Sequence, residues 1–296
     1  MLPWLWGLLG LGVTYGYWER AANLERAWTL PAVAAAWACL HAGTMWLNAA
    51  RDQDSGEILF GSGEAPPPPA PAWGYAALAL SAGLAALISP WVGLFCTLCA
   101  ILAVLYSHPS VALKAHPIGG PLVNVLGYGL LTPAAGIAVA LGPIHGRVLV
   151  TLALLATTML GLTFAAQAWQ EDEDRERGDR TLVATHGARV TLWSARLLIG
   201  SAGLMALAAI AWGWYPRAML VALPGLLLVD RFMARWLRQE GGGDATWGRD
   251  LVRLMAATAL VASLAAVVQY GIAWRSLQPF AGQGTARVPT PWVLPP

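Results

Sequence analysis

Apolar runs long enough to cross a lipid bilayer recur along this chain, and they leave few ways for it to fold. A membrane helix needs about 20 mostly apolar residues. Runs of that kind stand at 2–18, 29–50, 72–89, 91–107, 119–141, 147–168, 190–212, 215–233 and 251–273. In hydrocarbon every backbone N–H and C=O must find its partner within the protein, and a long unbroken apolar run does so as a helix. The expected fold is an all-α integral membrane protein: about nine transmembrane helices around a central apolar cavity, in one domain spanning residues 1–296. Charge agrees, since only 11% of the residues are Asp, Glu, Lys or Arg, against about 25% in soluble domains. That leaves too few charges to coat a soluble enzyme and too much apolar surface for a disordered chain. A net charge of +2 provides no basic face for nucleic acid. Residues 1–18 lack the positive n-region of a cleavable signal and read as a first span.

The few charges are unevenly placed. With the N-terminus cytoplasmic, the cytoplasmic connections are 51–71, 108–118, 169–189 and 234–250. They and their flanks carry eleven Lys and Arg against six on the other side, as the positive-inside rule requires. Fourteen of the sixteen acids fall on that same side. No insertion rule demands this, so the carboxylates point to binding, and hard divalent cations are the ligands that oxygen donors favour. Cys96 and Cys99 form a C-x-x-C without a second ligand pair, which reads as helix packing. Residues 61–72, rich in proline, read as a stiff linker.

Two acidic segments close the second and sixth spans. In the first, Asn48 and Asp52 are four residues apart and share a helix face, while Asp54 and Glu57 lie around the helix end. In the second, Glu171 and Asp174 share a face with Gln167, and Gln170 lies on a neighbouring one with Asp174. A polar side chain such as Asn48, where the helix is still expected in the membrane, is costly and usually functional. Two such ends on one membrane face suit Mg2+, which takes a few carboxylates and completes its shell with water and phosphate oxygens. A diphosphate is the matching partner. The chain's single lysine, Lys114, follows the fourth span. It is a compact charge suited to phosphate, and Asn124 and Tyr128 follow it on one face of the next span.

At these residues the sequence resembles the UbiA superfamily of intramembrane prenyltransferases. The first family motif, N-x-x-x-D-x-x-x-D, corresponds to Asn48-x3-Asp52, with Gly56 at the last position. The second, D-x-x-x-D-x-x-x-G-x-x-T/S-L, corresponds to Asp174-x3-Gly178-x2-Thr181-Leu182, with Gln170 at the first position. The central Y-S-x-P segment corresponds to Tyr106-Ser107-His108-Pro109, followed by Leu113-Lys114 and Tyr128-Gly129.

The resemblance implies a magnesium-dependent transferase. It would move a prenyl group from an allylic polyprenyl diphosphate to an aromatic, quinone-precursor or other lipophilic acceptor. Asp52, Asp54, Glu57, Glu171 and Asp174 would hold Mg2+. Asn48 would orient the diphosphate, with Arg51, Lys114, Asn124, Tyr128, Gln170 and Arg180 as further substrate contacts. The catalytic set would be Asn48, Asp52, Lys114 and Asp174. The expected setting is a bacterial cytoplasmic membrane, with the active-site loops on the cytoplasmic side. Two other readings stay open: a terpene cyclase that ionises the same diphosphate, and a transporter using the acids as a cation path.

Overall fold

The computed structural model describes residues 28–52, 66–139 and 146–277, and every regular element among them is helical. The apolar run at 2–18, and with it Asp54 and Glu57, lies outside the described residues. Among the described residues nine helices follow in order: α1 Thr29–Asp52, α2 Ala70–Ile88, α3 Pro90–Ser107, α4 Gly119–Val139, α5 Gly146–Gln167, the short α6 Glu171–Arg177, α7 Leu182–Ala211, α8 Leu223–Trp236 and α9 Ala245–Leu277. Among the described residues, α1 as far as Ala50, α2, α3, α4, α5 and α7 are long and apolar enough to cross a membrane. Large apolar side chains such as Leu87, Leu204 and Trp212 face outward, the inverse of a water-soluble surface. The chain is an integral, multi-pass membrane protein.

Local chemistry sets the boundaries. Ser89 is the single extended residue between α2 and α3, and its Oγ accepts from Val92 N–H at 3.2 Å. Pro90 follows in the first turn of α3, where its missing N–H costs nothing. The tight junction at Ser89-Pro90 therefore separates two real helices. The proline-rich linker expected over 61–72 stops earlier, because α2 starts at Ala70 and accommodates Pro71 in its first turn.

Two spans differ from expectation. The run at 190–212 is the later part of α7, which starts at Leu182 and breaks at Gly187 (φ 81°, ψ 163°). Only glycine reaches that left-handed φ without strain. The run at 215–233 is split: a 3₁₀ turn covers Arg217–Ala222, and α8 begins at Leu223 with Pro224 in its first turn. Pro224 has no N–H to donate to the turn before it, so one continuous span cannot form.

Two cores fill the bundle. One joins α1, α2, α3 and α4 around Trp37, Leu78, Val92 and Cys96. The other joins α5, α7, α8 and α9 around Leu192, Met233, Trp236 and Leu251. Close approach in the first core depends on small residues, as is usual between membrane helices. A Cβ on Gly43 would lie 2.8 Å from the Gly74 carbonyl oxygen, so α1 and α2 touch backbone to backbone just below Asn48.

Candidate active site

A cavity of about 340 Å³ opens between the two cores, and its wall is drawn from both. Its apolar part includes Leu40, Leu102, Met159 and Leu162. Its polar part includes Asn48, Lys114, Asn124, Gln170 and Asp174. These polar residues come from α1, the 3₁₀ turn Leu113–Ala115, α4, the α5–α6 junction and α6, which meet at one end of the bundle.

The π-helical segment Val125–Leu131 within α4 carries Tyr128 into the wall. Such i→i+5 turns re-aim side chains and recur at functional sites. Thr132, just after it, donates to the Gly127 carbonyl at 2.8 Å and accepts from Trp37 Nε1 at 3.3 Å, which ties α4 to α1. Tyr106 shares a side-chain hydrogen bond with Asn124. His41 is buried one turn below Thr44 and stacks on Tyr128 at 5.8 Å, a packed histidine.

Asp174 is the most enclosed acid of the site, only 3% exposed. Its Oδ2 accepts from Thr181 Oγ1 at 2.5 Å and its Oδ1 from Arg177 Nη2 at 2.7 Å. Burial pushes its carboxyl above the usual carboxylate range, against the opposing pull of the Thr181 hydrogen bond and the Arg177 charge. Thr181 also caps α7 by accepting from Ala184 N–H at 3.3 Å. The adjacent backbone N–H of Arg180 donates to the Ala115 carbonyl at 2.9 Å. That bond latches the acidic loop onto the turn carrying Lys114.

Asp52 is the last residue of α1, one turn beyond Asn48, and Arg51 precedes it. Glu171 does not line the cavity. Its Oε2 accepts from Ala188 N–H at 2.8 Å and its Oε1 pairs with Arg175 at 2.7 Å. The break at Gly187 frees the Ala188 N–H, and Glu171 caps it, so this carboxylate is committed to the backbone of α7. Arg180 is exposed and does not line the cavity; what it gives the site is the backbone bond to Ala115. Arg196, inside α7, pairs with Asp230 at 2.7 Å, away from the cavity.

Two charged residues of the wall stand outside the motif positions, Arg177 and Asp179, and the motif residue Thr181 makes a bond to Asp174 that the motif does not announce. Part of their arrangement was legible, because Arg177 stands at i+4 from Glu173 and i+3 from Asp174, spacings that pair on a helix. The polar wall supplies oxygen donors. Among the described residues no three His, Cys, Asp or Glu side chains converge into a closed metal cage.

Because its charge is used up on Ala188 and Arg175, Glu171→Ala is expected to leave catalysis nearly intact. It should cost about 1 kcal/mol of stability, the worth of a partly exposed hydrogen bond to a charge. Thermal unfolding in detergent, set beside an activity assay, checks this.

Comparison with known proteins gives a consistent picture. The family model described as the UbiA prenyltransferase family matches residues 8–247. A UbiA homologue from Archaeoglobus fulgidus, solved bound to DMAPP and Mg2+, aligns at 18% identity and a TM-score of 0.62, over 88% of this chain and 95% of that one. The apo UbiA homologue from Aeropyrum pernix K1 aligns at 19% identity and a TM-score of 0.62, over 88% and 96%. A digeranylgeranylglyceryl phosphate synthase aligns at 16% identity and a TM-score of 0.62, over 88% and 93%. At these identities the structural likeness establishes the fold. No curated protein matches the sequence.

Proposed function

Because the chain belongs to the UbiA prenyltransferase family, we propose that it transfers a prenyl group from an allylic polyprenyl diphosphate to an aromatic, quinone-precursor or other lipophilic acceptor. The observation that carries this reading is the single cavity shared by Asn48, Lys114, Asn124, Tyr128, Gln170 and Asp174. They lie far apart in sequence, and no packing requirement alone would collect so many polar groups on an otherwise apolar wall.

The donor set fits Mg2+. The wall supplies oxygen donors, the described residues form no closed cage, and this ion shares its shell with substrate phosphates. Asp174 from the second acidic segment would hold it, together with Asp52, Asp54 and Glu57 from the first. When bound it neutralises charge on the departing diphosphate. Asn48 orients the diphosphate at the mouth. Lys114 places a fixed positive charge beside the leaving oxygen, where preorganised charge is worth most. The allylic C–O bond breaks with its electron pair leaving on the diphosphate. The acceptor attacks the resulting cation and gives up a proton. Leu40, Leu102, Met159 and Leu162 enclose the prenyl tail and keep water from the cation. The charge asymmetry of the sequence supports a mouth that faces the cytoplasm.

The test incubates membranes containing the protein with allylic diphosphates of several lengths, with and without phenolic acceptors, and reads products by mass spectrometry. A prenylated acceptor, lost when EDTA removes Mg2+, is expected. A cyclic hydrocarbon formed from the diphosphate alone would replace transfer with cyclisation. No diphosphate release from any substrate would overturn the reading.

A further inference from the structure

Among the described residues, Arg177 and Lys114 are the cationic side chains lining the cavity, and the arrangement around Arg177 is unusual. It is the last residue of α6. Gly178 (φ 75°) then turns the chain back so that Asp179 meets the same guanidinium. Nη1 donates to Glu173 at 2.7 Å, Nη2 to Asp174 at 2.7 Å and Nε to Asp179 at 3.2 Å. One planar cation thus draws three carboxylates together, and two of them, Asp174 and Asp179, face the cavity.

We infer that Arg177 is a diphosphate-binding residue that exchanges partners as the site fills. This rests on the proposed prenyl diphosphate chemistry and adds a residue to it. With no diphosphate present the guanidinium compensates the buried Asp174, which would otherwise be a costly unpaired charge. A divalent cation bound by Asp174 takes over that compensation and releases Arg177 Nη2 from that bond. A diphosphate brought in with the cation offers oxygens at the spacing a guanidinium binds bidentately. The exchange keeps the site from holding a large unbalanced charge at any stage. It also couples cation binding to diphosphate binding.

The experiment is calorimetric titration of the purified, detergent-solubilised protein with Mg2+ alone and with Mg2+ plus inorganic pyrophosphate, on wild type, Arg177→Gln and Arg177→Lys. Arg177→Gln is expected to weaken pyrophosphate at least about tenfold, the scale of a lost hydrogen bond to a charge. It should bind Mg2+ alone at least as well as wild type, because Asp174 no longer has a competing partner. Arg177→Lys, which keeps the charge without the fork, should recover part of the pyrophosphate affinity and serves should the glutamine variant not fold. Pyrophosphate affinity within twofold of wild type in the folded variant overturns the inference. So does an equal loss of Mg2+ and pyrophosphate binding with a lowered unfolding temperature, which marks a purely structural arginine. A wild-type protein that binds pyrophosphate through Arg177 yet releases none from any allylic diphosphate sinks the prenyltransferase reading and leaves this inference standing.

Discussion

Asp174→Asn is expected to cut Mg2+-dependent diphosphate release by about a thousandfold or more, the upper range for removing one preorganised electrostatic group. The substitution keeps shape and volume. Its amide can still accept from Thr181, and Arg177 remains held by Glu173 and Asp179. What disappears is the carboxylate that, among the described residues, is buried, lines the cavity and is framed by a capping threonine. The loss should therefore appear in kcat and in Mg2+ affinity, with little change in helix content. Release of radiolabelled diphosphate, measured over a Mg2+ series beside far-UV circular dichroism, decides it. Wild-type rates in a folded Asp174→Asn protein would remove this residue from the metal site and weaken the whole assignment.

Lys114→Met carries the second large effect, about a hundredfold loss in kcat/KM for the allylic diphosphate. Methionine retains the apolar stem and removes only the charge. The turn around Lys114 is shaped by backbone bonds, from Ala115 N–H to Ala112 and from His116 N–H to Leu113, so the fold should not change. Because the charge serves the departing diphosphate, the deficit should shrink with a substrate bearing a better leaving group. Arg at this position should rescue only partly, since a longer fork cannot place its charge at the same point. A Lys114→Met protein with an unchanged kcat/KM would reduce the lysine to a topogenic charge.

Periodicity and spacing carried the fold a long way. Apolar runs located α1 to α5 within a few residues, because a span in hydrocarbon has no alternative to helix. They failed where a single residue overrides length. Gly187 breaks α7 and Pro224 starts α8, and a hydropathy window averages over both. Asn48, Lys114, Asn124, Tyr128, Gln170 and Asp174 were legible as candidates from spacing within each segment, and they line one cavity. Glu171 was misplaced, since its partner is the backbone N–H of Ala188, seventeen residues on. No pattern in the acidic segment announces that N–H as free. Arg177 and Thr181 were visible as letters. Their roles come from the reversal at Gly178, which only the folded loop displays.

The break at Gly187 also acts as a lever. Beyond it α7 runs from Ala188 to Ala211, a rod of about 36 Å at the usual rise per residue. A tilt of about 5° at the break swings its far end by about 3 Å. The carboxylate that grips the first peptide of this rod belongs to Glu171, three residues before Asp174 on the same short helix. That amide is where the second acidic segment holds α7 beyond its break.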